Sequence, residues 1–287
     1  MIKPSKSKNR SKSSRGVAAR IVVALILGLL VLGALGTGAA IGIGVLREIW
    51  LEQCRVTDRE LDVVITTGKM VHPDVVTLHF GLTNGANLAS IPFTERRANL
   101  LERIPNIRDI HIERRQPNRV TVDIVEREPL VRIVSSSTPK ETGRVADAEG
   151  VVFRFSSGTS LLPLVRESAN PPTAPGKRLT GNAAAALRLV EVASQPELSA
   201  LRILEVDTSN ADYLRVRLGN YDWAQVAWDH MQEDSRLSRE SLRRQLKHLS
   251  STIATHLTPN NTLWIATDWG PGGRIYASQP ARAAETE

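Results

Sequence analysis

The chain has one cysteine, Cys54, among 287 residues, so no disulfide can form within it. The preceding Leu51-Glu52-Gln53 puts charge where small residues precede a lipid-modified cysteine, which argues against a lipoprotein anchor. Acidic residues are absent from positions 1–20, which hold seven cations: Lys3, Lys6, Lys8, Arg10, Lys12, Arg15 and Arg20. Removing those seven from the 37 Lys+Arg leaves 30 against 30 Asp+Glu, so the formal charge of +7 belongs to the N-terminal tail. A nucleic-acid-binding domain needs its cationic surface on the folded part, because phosphate contacts carry most of its affinity. A neutral remainder argues against that class.

Catalytic signatures are missing as well. No G-x-S-x-G, H-E-x-x-H or Walker loop occurs. Ser137-Thr138-Pro139-Lys140 matches S-x-x-K and Ser168-Ala169-Asn170 matches S-x-N, as in penicillin-binding transpeptidases. In those enzymes the nucleophile opens a helix and a K-T-G strand completes the site. Here Pro139 sits in a polar linker, and Lys140-Glu141-Thr142-Gly143 misses the third motif. The six histidines are scattered; His72 and His79 share a helical face without carboxylates at ligand spacing. No catalytic residue, metal or cofactor is expected.

What the sequence does have is one long apolar run. Residues 21–46 carry no charge, are bracketed by Arg20 and Arg47, and include fifteen Leu, Ile or Val. At about 1.5 Å per residue such a helix reaches roughly 39 Å, enough to cross a hydrocarbon core of about 30 Å with tilt. A cleaved signal peptide has an apolar region of only about 7–15 residues, so length favours a retained span. The cationic tail keeps the N-terminus in the cytoplasm and sends residues 47–287 outward, the single-pass type II arrangement. Ala34, Gly38 and Gly42 form a small-xxx-small stripe suited to packing against another membrane helix. The tail itself, residues 1–20, is Ser/Lys/Arg-rich and reads as disordered.

Residues 58–133 read as strand, helix, helix, strand, strand. Leu61–Thr66 is a short β-type run, His72-Pro73 opens one helix, and Thr94 is placed to cap a second that Pro105 ends. Ile110 and Ile112 alternate with His111 and Glu113; after a turn, Val120, Val122 and Ile124 share a face. Glu113, Glu126, Arg127 and Glu128 fall on or beyond the exposed face of this hairpin, solvated or ion-paired rather than arranged for acid/base chemistry.

Three segments carry a family likeness. Gly85-Ala86-Asn87-Leu88 with Leu101–Ile107 resembles the "G-x-N-L … L-x-x-x-P-x-V" spine of a POTRA domain. Ile112–Val122 resembles "V-x-R-x-x-P-x-x-L-x-I", and Val125–Val131 is similar to "V-x-E-R-x-P-V-A". In this order, after a tail and one span, they resemble the FtsQ/DivIB family of bacterial cell-division proteins. Arg144–Phe153 and Leu162–Val165 then resemble the "V-D-x-x-G-x-V-F … L-P-x-L" opening of that family's β domain.

The second region, residues 143–280, has a helix from Thr180 or Asn182 to Ala193 and strands at Leu201–Val206, Tyr213–Leu218 and Ala224–Trp228. A long helix follows from about Ser235 to Leu257, with a cationic face of Arg239, Arg243, Arg244 and Lys247, and then a final hairpin. The fold class is therefore α+β: an N-terminal transmembrane helix, a POTRA domain (β-α-α-β-β), then a mixed α/β domain with an antiparallel sheet and one long helix. Residues 281–287 read as a disordered C-terminus.

The resemblance implies a non-enzymatic divisome scaffold of the cell inner membrane, placed at the division septum. It also implies that the terminal hairpin forms a sheet edge to which FtsB adds a strand, with FtsL beside it, linking early division proteins to the septal wall synthases. The residues this assigns are Trp269, Gly272, Gly273, Arg274, Ile275, Tyr276 and Ala277. The sequence departs from the family's "I-D-L-R-Y" here, having Leu263-Trp264-Ile265-Ala266-Thr267. The alternatives are a membrane-tethered cell-wall enzyme and an outer-membrane assembly factor, the latter lacking the many strands a barrel requires.

Overall fold

The computed structural model describes residues 42–115, 117–135, 143–155, 158–219, 222–256, 262–268, 270 and 273–278. The contacts divide the chain into two units, one of residues 1–64, 81–91 and 114–120, the other of residues 65–80, 92–113 and 121–287. The predicted tail (1–20), the span apart from residues 42–46, and residues 281–287 lie outside the described residues. Among the described residues no helix is long and apolar enough to cross a membrane.

The first unit begins with helical residues 42–53. A single helical turn follows, α1 (Arg59–Asp62), and then strand β1 (Val63–Thr66). The sequence reading expects the strand from Leu61; local capping displaces its start. The Asp58 side chain accepts the Glu60 N–H at 3.0 Å. Asp62 Oδ2 accepts the N–H groups of Thr57 and Asp58 and the Asn118 amide, at 2.9, 3.2 and 2.8 Å. Such side-chain-to-backbone bonds outweigh the β preference of one leucine.

In the second unit, α2 (Pro73–Phe80) ends at Gly81, whose φ of +64° suits a residue without Cβ. Helix α3 (Phe93–Arg103) starts earlier than expected: its N-cap is Pro92, without a side-chain cap bond, so Thr94 lies inside the first turn. The Phe80 and Phe93 rings stack at 5.9 Å. Strands β2 (Ile107–Arg115) and β3 (Arg119–Glu126) complete the β-α-α-β-β order, in a three-stranded sheet ordered β1-β3-β2. Val120, Val122 and Ile124 are buried, as the alternation requires.

The remaining elements are β4 (Val131–Ser135), β5 (Arg144–Ala146), β6 (Val152–Arg154), β7 (Leu164–Glu167), α4 (Gly181–Ala193), β8 (Ile203–Asp207), β9 (Leu214–Leu218), β10 (Trp223–Val226), α5 (Arg236–Thr255), β11 (Leu263–Ala266) and β12 (Tyr276–Ser278), with a 3-10 turn at Pro196–Leu198. They form a nine-stranded sheet ordered β12-β11-β10-β9-β8-β7-β4-β5-β6. Residues 131–133, grouped with the first region by sequence, run in this larger sheet.

The expectation of an antiparallel sheet is corrected, while the one long helix is present as α5. Three pairs, β4–β7, β7–β8 and β10–β11, are parallel. A parallel pair needs a crossover of a dozen or more residues, and α4 and α5 supply two of them, β7-α4-β8 and β10-α5-β11. Both helices face one buried side of the sheet. Leu187, Leu189 and Val190 of α4 and Leu242, Leu246 and Leu249 of α5 share a core with Val165, Val206, Val216, Val226 and Trp264 of the strands.

Candidate partner-binding edge

The terminal ribbon is β11–β12, paired antiparallel with Leu263 opposite Ser278, Trp264 opposite Ala277 and Ile265 opposite Tyr276. Its inner strand is fixed from below. Trp264 is buried, and its indole N–H donates to Asp222 Oδ2 at 3.1 Å, while Asp222 Oδ1 accepts the Thr262 N–H at 2.9 Å. From α5, Gln245 Nε2 donates to the Ala266 carbonyl at 2.7 Å. Neither Asp222 nor Gln245 stands out in the sequence, because each is a single buried polar residue serving backbone some twenty to forty positions away.

Asp268 organises the connection. Its carboxylate accepts the N–H groups of Gly270 and Arg274 at 3.4 and 3.3 Å, and the Gly273 N–H donates to the Gly270 carbonyl at 2.8 Å. A Cβ on Gly273 would lie 2.2 Å from the Asp268 carbonyl oxygen, so this close approach requires glycine.

The seven residues assigned by sequence separate into different roles. Trp269 and Gly272 lie outside the described residues. Gly273 makes the turn, and Arg274 is exposed just before β12. Ile275 is partly buried against the main core and so helps to anchor the ribbon. Tyr276, at 52% exposure, and the exposed Ala277 lie on β12 itself. Of the proposed membrane-helix stripe, Ala34 and Gly38 fall outside the described residues; at Gly42 an added Cβ would meet open space.

The two ends of the nine-stranded sheet differ. At the β6 end, residues 176–179 run alongside: the Val152 N–H donates to the Lys177 carbonyl at 2.9 Å and the Gly176 N–H to the Val152 carbonyl at 2.7 Å. At the other end, β12 is the last strand, and among the described residues no further strand pairs with it. The sheet face opposite α5 is also amphipathic near this edge, with Arg215, Trp223, Gln225, Leu263, Ile265 and Tyr276 in neighbouring registers. The Arg215 guanidinium lies 4.5 Å from the centre of the Trp223 ring.

The catalytic candidates find other employment. The S-x-x-K stretch at 137–140 lies outside the described residues. The Ser168 hydroxyl donates to the Thr208 carbonyl at 3.1 Å. His79 Nε2 lies 2.7 Å from the Arg96 carbonyl, and His72 sits 3.2 Å from Asp74. Glu126 and Arg127, expected to be solvated or ion-paired, serve the backbone and a buried ion pair respectively. Arg239 pairs with Glu191, and Arg243 and Lys247 with Glu197, so much of the α5 cationic face meets acids near α4.

A β-α-α-β-β module precedes a larger mixed sheet whose order ends, among the described residues, at β12. Residues 62–127 match the family model of the POTRA domain, FtsQ-type, which supports an FtsQ/DivIB-like protein. No curated protein matches the chain. The FtsQ-type domain implies a scaffold role in cell division, at the division site and through protein–protein contacts, in a family that is generally non-enzymatic.

Proposed function

We propose that this chain is a single-pass inner-membrane scaffold of the divisome whose β12 edge accepts a strand from an FtsB-like partner, with an FtsL-like partner alongside. In this reading the cationic tail is cytoplasmic, residues 21–46 span the membrane, and the folded regions work in the periplasm without catalysing a reaction. They form one POTRA domain over about 58–133 and one β domain over about 143–280. The assembly links early division proteins to the septal wall synthases.

The observation that carries the reading is the asymmetry of the sheet: residues 176–179 cover β6, whereas among the described residues β12 ends the order. A sheet edge offers a row of N–H and C=O groups to an added strand, with neighbouring side chains giving selectivity. Tyr276 on β12, with Ile265 and Trp223 in adjacent strands, supplies large groups of the kind that dominate small interfaces. The membrane placement draws support from the start of the first helix, where Ile43, Val45, Leu46, Ile49 and Trp50 are all exposed, a surface suited to lipid and its interface.

Tyr276→Ala tests the docking reading, because the side chain is exposed and its loss leaves the core intact. Partner recovery from solubilised membranes should fall by about tenfold or more, as loss of an aromatic anchor costs about 2 kcal/mol. Equal recovery of the FtsB-like partner from wild type and variant would reject strand addition at β12. A fluorescent fusion that stays uniformly peripheral through division, with no septal band, would reject the division-site reading.

A further inference from the structure

The helix over 42–53 does not run into the rest of the first unit through a loose linker. Its C-terminal end is held by the loop that carries Gly85-Ala86-Asn87-Leu88. The Val56 N–H donates to the Ala86 carbonyl at 2.9 Å, the Gly85 N–H to the Val56 carbonyl at 2.8 Å, and the Leu88 N–H to the Cys54 carbonyl at 3.0 Å. Arg55 and Asn87 form an antiparallel bridge across these bonds. The Asn87 amide adds a bond from Nδ2 to the Leu51 carbonyl, at 3.1 Å, a second bond on a last-turn carbonyl that also accepts the Cys54 N–H at 3.2 Å. Asn87 is itself held: Oδ1 accepts the Ala89 N–H at 2.9 Å, and its carbonyl accepts the Ser90 hydroxyl at 2.8 Å. Gly85 turns the loop with φ of +80°. Beneath the bridge Cys54, Val56, Leu82 and Leu88 are almost wholly buried.

We infer that residues 84–90 are a clasp that makes the membrane-leaving helix and the first unit one rigid body, so that rotation or tilt of the helix is carried outward without loss. The clasp, residues 84–90, lies within the FtsQ-type match at 62–127, whereas residues 51–56, which it grips, precede that match. A backbone bridge, a side-chain cap and a buried apolar layer act at the same junction, and no glycine or proline interrupts residues 47–56. A freely jointed connector would show polar, solvated backbone there instead. The inference rests on the membrane reading above for its consequence, but the clasp is testable apart from it.

Cys54 provides the probe, as the chain's sole cysteine and almost fully buried at the clasp. The full chain in detergent or vesicles is treated with a maleimide, and the rate is compared with the same chain in denaturant. The clasped thiol should react at least about 100-fold more slowly than the denatured one, since it must wait for local opening. Asn87→Ala removes the cap and should speed labelling by up to about tenfold, the equivalent of one net hydrogen bond. If Asn87→Ala does not fold, the wild-type rate still decides. Labelling of the native chain at the denatured rate overturns the clasp. Alkaline carbonate extraction, run in parallel, tests the membrane reading alone: release of the chain with a protected thiol rejects the span and leaves the clasp standing. A Gly-Ser-Gly insertion after Gln53 tests the coupling: a stably present, membrane-held variant should lose division function, and full function would overturn rigid transmission.

Discussion

Glu126 shows how much one side chain does here. Its carboxylate accepts the backbone N–H groups of Lys69, Met70 and Val71 at 2.8, 3.0 and 2.8 Å, fixing the segment between β1 and α2. Gly68 lies so close that an added Cβ would meet Glu126 Oε2 at 2.3 Å. Glu126→Ala leaves three backbone donors, two of them partly buried, without their acceptor and should destabilise by about 1–3 kcal/mol, read from the urea midpoint. Glu126→Gln keeps one acceptor oxygen and should cost less, because bonds to an ionised acceptor are roughly twice as strong as neutral ones. Equal midpoints for wild type and Glu126→Ala would refute this role. Alternation along β3 correctly tells which residues face the core, and by parity it sets Glu126 in line with Val120, Val122 and Ile124 at the end of the strand. It cannot reveal the acceptor role, since the donors are backbone groups some 55 positions earlier.

At the scale of elements, ion pairs and apolar seams contribute unequally. Arg127, only 13% exposed, donates to the Pro105 carbonyl from Nε and to Asp147 from Nη1, joining the end of β3 to the turn between β5 and β6. Removing one partner of such a buried pair leaves the other charge stranded, so Arg127→Ala should cost about 3–5 kcal/mol in equilibrium unfolding. The α5 pairs are different: Lys247 and Glu197 are each about half exposed, and Lys247→Ala should change stability by under about 1 kcal/mol. Leu246→Ala, one position earlier and buried in the core, should cost about 2–5 kcal/mol. The same contrast explains what was legible. The spacing of Leu242, Leu246 and Leu249 announces α5 and its buried face, and Leu214-Arg215-Val216-Arg217-Leu218 announces β9. Periodicity does not encode strand order, so the parallel pairs and the place of β4 became visible only once the crossovers were laid on the sheet. At the edge, β12 ends the strand order among the described residues, and Ile275, which the likeness groups with the partner-binding residues, packs partly against the core.

Across the whole molecule, charge balance sets the response to acid. Residues 21–287 carry 30 cations and 30 carboxylates, so near neutral pH the folded part has little net self-repulsion. Some of those carboxylates are held in the ionised form by the fold. The Ile110 N–H keeps Asp109 below its ordinary value of 3.8; burial opposes it, and the hydrogen bond and charge of Arg97 reinforce the lowering. At Glu149 burial pushes upward, but the Arg127 hydrogen bond and the charges of Arg108 and Arg127 together outweigh it, so its pKa is lowered from 4.5. A carboxyl lowered on folding stabilises the native state above its unfolded value, and that stabilisation is lost as pH falls through the folded value. Stability should therefore be nearly flat from neutral pH down to about 5 and decline below about 4.5 as these groups protonate and the 30 cations are left unopposed. Glu149 stands 2.8 Å from Arg108 and 3.3 Å from Arg127. Glu149→Gln removes that one titration from the native state, so the variant should start lower at neutral pH and lose less on acidification. The two urea-midpoint curves should converge as pH falls through the lowered folded-state pKa of Glu149, where the wild-type carboxyl is itself becoming protonated. Curves that stay parallel from pH 7 to pH 3 would show that the arginines around Glu149 do not couple its ionisation to folding.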